Sequence, residues 1–210
     1  MDHTYHASLR LLEPMAQDAL SNSHSAFFQP LLHRLLTVFC EGRVIPAMTA
    51  EEVRRVVCLS RFHDIGKKMI PRSILQKSGK LTLEERRILQ QHPALGVRLL
   101  RAIPALRQYP YYDVLYDICL HHHERWDGGG YPDGLTGRHI TPYVHVVAMA
   151  DAYDALRTAR PYKSPLSHGE ALSMLCGGDC GAFDPEMISC LRELPEEFFS
   201  ACYREESKVG

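Results

Sequence analysis

Residues 49–64 read "TAEEVRRVVCLSRFHD", and the spacing of apolar and polar positions in this stretch decides the fold class. Val53, Val56 and Val57 fall three and four apart, with Ser60 next on the same row, which is the repeat of a helix with one buried face. Thr49 before Ala-Glu-Glu is an N-cap followed by an acidic first turn. Carried on, the buried face ends in His63 and Asp64. Burying an imidazole and a carboxylate without partners is costly, so other elements are expected to supply them.

The same repeat recurs along the chain and predicts helices over 4–20, 26–40, 49–64, 82–91, 93–101, 111–123, 143–157, 167–176 and 185–194. Alternating runs long enough for a sheet are missing, so the expected fold is all-α. Thr82 before Leu-Glu-Glu and Asp184 before Pro185 mark further helix starts. The segments "KSGK" (77–80), "DGGGYPDGLTG" (127–137) and "CGGDCGAFDP" (176–185) read as loops. The expected organisation is N-terminal helices over 1–48, a main domain over 49–194 and a solvated tail over 195–210.

At 210 residues and 45% hydrophobic composition the chain can bury one sizeable core. With 24 basic and 25 acidic residues the formal net charge is -1, which excludes a protein held on duplex nucleic acid by bulk charge. Seven scattered cysteines do not form a disulfide framework, and the pair Cys176 and Cys180 in "CGGDC" reads as a helix stop. A reducing, cytoplasmic setting is expected. No leader pattern opens the chain, and no apolar run approaches the roughly 18 residues of a membrane helix.

Histidine and aspartate continue the buried faces of other helices too. Three successive helical residues fan over roughly 200°, so "HHH" (121–123) cannot converge as a unit. His122 continues the row of Val114 and Ile118, and His123 that of Leu115 and Cys119, whereas His121 follows Asp117. His122 and His123 are expected inside and His121 outside. His92 extends the stripe of Ile88 and Leu89 and precedes Pro93, where a break in the helix would aim its ring off the end. Asp151 follows Val144, Val147 and Ala148, with Asp154 a turn later. One such residue is more often a cap or a satisfied core group than a ligand. Imidazoles and carboxylates arriving from four helices are how bundles build metal sites, and these donors suit iron, manganese, cobalt, nickel or zinc.

The ordered series "FHDIGK" (62–67), "HP" (92–93), "HHERWDGGGYP" (122–132), "ADAYDAL" (150–156), "RPYK" (160–163) and "GAFDP" (181–185) resembles the HD-GYP family of HD-domain metal-dependent phosphohydrolases. The resemblance runs from about Val53 to Leu194 and implies an HD-domain helical bundle with a helical extension around the GYP loop. It implies two or three metal ions, usually iron or manganese, and hydrolysis of the bacterial messenger cyclic di-GMP to pGpG or GMP. By resemblance His63, Asp64, His92, His122, His123 and Asp151 are metal ligands, with Asp64 bridging. Asp64 and Lys67 would carry catalysis, and Lys67, Tyr131, Asp154, Arg160 and Lys163 would bind substrate. Glu124 and Asp127 would orient the histidines.

The resemblance also implies one more histidine about thirty residues before the HD pair, for which His33, His24 and His6 are the candidates. Without it the first metal site would be weak. That keeps open a degenerate scaffold that binds cyclic di-GMP or a signalling partner without turnover, and an HD-type nucleotide phosphohydrolase. Partners expected are cyclic di-GMP, a signalling protein at the GYP loop and a second copy in a homodimer, with neither duplex nucleic acid nor membrane.

Overall fold

The computed structural model describes residues 9–10, 12, 26–159 and 164–204. Its helices are α1 (Phe28–Glu41), α2 (Ala50–Ser60), a 3-10 turn (Ile65–Met69), α3 (Arg72–Leu75), α4 (Leu83–Leu89), α5 (His92–Arg101) and a second 3-10 turn (Pro104–Gln108). They continue with α6 (Tyr112–His121), a third 3-10 turn (Gly137–His139), α7 (Pro142–Arg157), α8 (His168–Gly177), α9 (Pro185–Glu193) and α10 (Glu196–Arg204). Among the described residues there is no strand, only an isolated bridge between Asp127 and Thr136, as an all-α chain requires. No helix among them is long and apolar enough to cross a membrane.

Local chemistry starts these helices where the sequence indicates. Thr49, Thr82 and Ser167 each accept the backbone N–H of a glutamate three residues on, while that glutamate accepts the cap's own N–H. Asp184 accepts from the Glu186 amide, and Pro185 opens α9. The helix expected over 4–20 lies largely outside the described residues.

Helix α7 is the axis of the core. Val144, Val146, Val147, Ala148, Met149 and Ala150 are all buried, so it is covered on nearly every side. Helix α1 lies against it through Phe28, Leu31, Leu32, Leu35, Leu36 and Phe39, which belong to the same continuous core as the residues of 49–194. The described part of 1–48 therefore shares the core of the main domain.

The stretch 195–210 is not simply a tail, because residues 196–204 form α10. Its acidic first turn and buried Phe199 and Cys202 give it an inner face. The Phe199 ring lies 5.0 Å from that of Tyr153 on α7 and 4.7 Å from that of His168 on α8. A hydrogen bond of 2.9 Å joins the Tyr153 hydroxyl to His168 Nδ1. The Arg34 guanidinium of α1 covers Phe198 at 4.5 Å, so α10 seals three other helices. Phe199→Ala is expected to destabilise the fold by about 3 kcal/mol in urea unfolding, whereas a tail residue would change nothing.

Candidate metal centre

The centre is assembled at the ends of helices. After Ser60 the amides of Phe62, His63, Ile65 and Lys67 bond to carbonyls three residues back rather than four. The chain thus tightens out of α2, and His63 and Asp64 sit beyond its end rather than within it. Gly66 then makes the site possible. A Cβ there would lie 1.9 Å from the His92 carbonyl oxygen and 2.4 Å from the Gly96 amide nitrogen. Only a glycine lets this turn lie on the start of α5, and that contact brings Asp64 to His92.

Asp64 is buried with its two oxygens facing different groups. Oδ1 lies 3.1 Å from His92 Nε2 and 3.7 Å from His122 Nε2. Oδ2 lies 3.5 Å from His63 Nε2 and 2.5 Å from Lys67 Nζ. His63 Nδ1 faces the Ser60 carbonyl at 2.5 Å, His92 Nδ1 that of Leu89 at 2.8 Å, and His122 Nδ1 that of Ile118 at 3.0 Å. A carbonyl only accepts, so each Nδ1 carries a hydrogen and each Nε2 is turned inward. Asp64, His92, His122 and His123 bring one donor atom each within 4.8 Å of one another. Burial pushes His122 down to about 4 and His123 well below its ordinary value, so both are neutral near pH 7. A carboxylate and three imidazoles are a donor set that fits a divalent ion.

The GYP loop closes over this cluster. Glu124, fully buried, accepts the amides of Asp133 (2.7 Å) and Gly134 (3.1 Å) on Oε1 and of Leu135 (3.0 Å) on Oε2. It therefore holds the loop's backbone, and Asp127 accepts the Gly129 amide at 2.9 Å, so the expectation that both orient histidines is corrected. A Cβ on Gly130 would stand 2.4 Å from Glu124 Cα and 2.5 Å from the His123 oxygen, which makes glycine obligatory where the loop folds back. The Tyr131 ring stacks on His123 at 4.7 Å and 27°. Arg125 joins this region to the loop before α9 by donating to the Cys180 carbonyl at 2.9 Å and covering Phe183.

His121 turns away and joins Asp117 and Asp133. Asp151 is half-buried and outside the group of four, acting on the charge environment of Arg125 and Tyr131. Asp154 is buried a turn later, 3.5 Å from the Thr158 hydroxyl. Arg160 and Lys163 lie outside the described residues, as do His6 and His24. His33 is exposed on the outer face of α1, and the ring that meets His63 from that helix is Phe28, at 5.5 Å. No sequence signal marked Phe28, which reads simply as part of an apolar face.

A family model described as "HD domain" matches residues 15–187. The chain belongs to the HD-domain family. This HD domain is 42% identical, over 69% of its own length and 37% of the relative's, to the cyclic di-GMP phosphodiesterase response regulator RpfG of Xanthomonas campestris pv. campestris. It is 37% identical to a cyclic di-GMP phosphodiesterase of Thermotoga maritima, over 80% of this chain and 45% of that one. It is 35% identical to a 3'3'-cGAMP-specific phosphodiesterase 2 of Vibrio cholerae, over 79% and 31% respectively. The chain thus spans less than half the length of these relatives. Among solved structures, Bd1817, an HDG"Y"P protein from Bdellovibrio bacteriovorus, shares the fold at a TM-score of 0.58 and 20% identity, over 79% of this chain and 50% of that one. These findings bear out the HD-GYP resemblance of the motifs.

The neutral imidazoles predict how the HD domain responds to acid. His122, His123 and His145 are all held below their ordinary values by burial, His145 to about 4. They take up protons in the unfolded chain first, so stability is lost as pH falls from about 6.5 towards 4. For His121, burial lowers its value but Asp117 and Asp133 outweigh that and raise it, so its contribution is present at low pH and fades as pH rises. The three lowered groups prevail. In the metal-free domain the melting temperature is expected to drop by about 5 °C or more between pH 7 and pH 5, by calorimetry.

Proposed function

We propose that the chain is the hydrolase part of a cytoplasmic, metal-dependent phosphodiesterase that converts cyclic di-GMP to pGpG, GMP or both. The feature that carries this reading is the cluster of Asp64, His92, His122 and His123 beneath the GYP loop, with Lys67 against Asp64. The names of the relatives support it. Two divalent ions, iron or manganese, would be held by His63, His92, His122 and His123, with Asp64 common to both. When bound, such ions acidify a water to a nucleophile and offset charge building on phosphorus.

The chain's own residues do the rest. The three carbonyl-anchored imidazoles hold their rings without rearrangement when ions arrive. Lys67 keeps an ammonium on Asp64 with about a quarter of its side chain open to solvent, where it meets a phosphate oxygen. Tyr131 offers an aromatic face to a guanine at the mouth, and its hydroxyl stays protonated because burial pushes it up. Arg160 and Lys163 follow α7 and would add positive charge for the second phosphate.

One observation favours a second reading. Among the described residues, α1 brings Phe28 and not a histidine to His63, as in a cyclic di-GMP-binding scaffold without turnover. Metal analysis of the purified protein with chromatography of its products separates the two. Iron or manganese with product formation, abolished in Asp64→Ala, is the expected result; a protein that binds cyclic di-GMP and leaves it intact is the scaffold. Running 3'3'-cGAMP in parallel fixes the substrate.

A further inference from the structure

We infer that His121 is a positioning residue: by bridging Asp117 and Asp133 it clamps the outer side of the GYP loop and so holds Tyr131 at the mouth of the metal centre. Helical geometry sends His122 and His123 inward and leaves His121, the last residue of α6, on the other side. There both of its ring nitrogens are engaged. Nδ1 lies 2.6 Å from Asp117 Oδ1, one turn back on α6, and Nε2 lies 3.1 Å from Asp133 Oδ2 in the loop. The second oxygen of Asp117 accepts the hydroxyls of Thr141 at 2.6 Å and Tyr143 at 2.9 Å. One carboxylate thus fixes His121 and the start of α7 together.

Asp133 stands two residues after Tyr131, and its backbone is held from the inside by Glu124. The loop is therefore fixed twice at the same residue, by its amide from within and by its carboxylate from outside. Glu124 governs the backbone of 133–135 but does not reach Tyr131. Tyr131 donates its amide to the His123 carbonyl at 3.2 Å, stacks its ring on that of His123 and meets the His92 ring edge-on at 6.4 Å. Without the outer clamp that ring has less to hold it over the site. None of the clamp residues belongs to the four-donor cluster, so the effect falls on substrate rather than on metal. The substrate side of this inference rests on the phosphodiesterase reading; the clamp itself does not.

The test uses His121→Ala, Asp133→Ala and the double variant in the full chain. Asp133 is the safer of the two for folding, its side chain being 53% exposed. Hydrogen exchange at amides 128–136 is expected to accelerate in all three, with metal content unchanged. The KM for cyclic di-GMP is expected to rise by about tenfold while kcat changes much less, because a charge-assisted hydrogen bond is lost from a binding element. The double variant is expected to be no worse than His121→Ala, as a shared contact requires. Unchanged loop exchange in Asp133→Ala, or metal loss in either single variant, overturns the inference. A wild-type protein that does not turn over cyclic di-GMP removes the phosphodiesterase reading, and loop exchange then still decides the clamp.

Discussion

Asp64 is a carboxylate only 2% exposed, and a charge so buried survives only where opposite charge and donors reach it. Much of the molecule is arranged around meeting that demand. Lys67 brings opposite charge to it from the next turn, and the rings of His92 and His122 close around it from two further helices. An apolar core of this density would otherwise expel the carboxylate or force it to take up a proton. The same arrangement makes the site attractive to a divalent ion, since carboxylate oxygen and imidazole nitrogen converge on one buried point.

Delivering these side chains falls to helix ends. His63 and Asp64 follow α2, His92 opens α5, and His122 and His123 follow α6. Carbonyls near a helix end have accepting capacity to spare, and here those of Ser60, Leu89 and Ile118 take an imidazole Nδ1–H. One contact therefore places the hydrogen on Nδ1 and turns Nε2 towards the centre.

The loop above the centre is held by a different device. Glu124 gathers three consecutive amides, Gly130 permits the fold-back, and His121 fastens the outer edge. The triple histidine thus divides its labour: two rings face the centre and the third faces the loop that covers it. Each ring's task follows from the 100° step between helical neighbours, once the direction of the core is known.

By itself the sequence determined the helical class, the helix starts at Thr49, Thr82 and Asp184, and which rings of "HHH" turn inward, because caps and periodicity are local properties of a chain. Its motifs also named the family. Contacts between distant segments were not legible in it. The tightening after Ser60, the seat of Gly66 against His92, the amides gathered by Glu124, the docking of α10 and the presence of Phe28 beside His63 all join residues far apart in the chain or change hydrogen-bond spacing within a few residues. A periodic pattern records which face is buried and not what it is buried against, and only the packed structure supplies the partner.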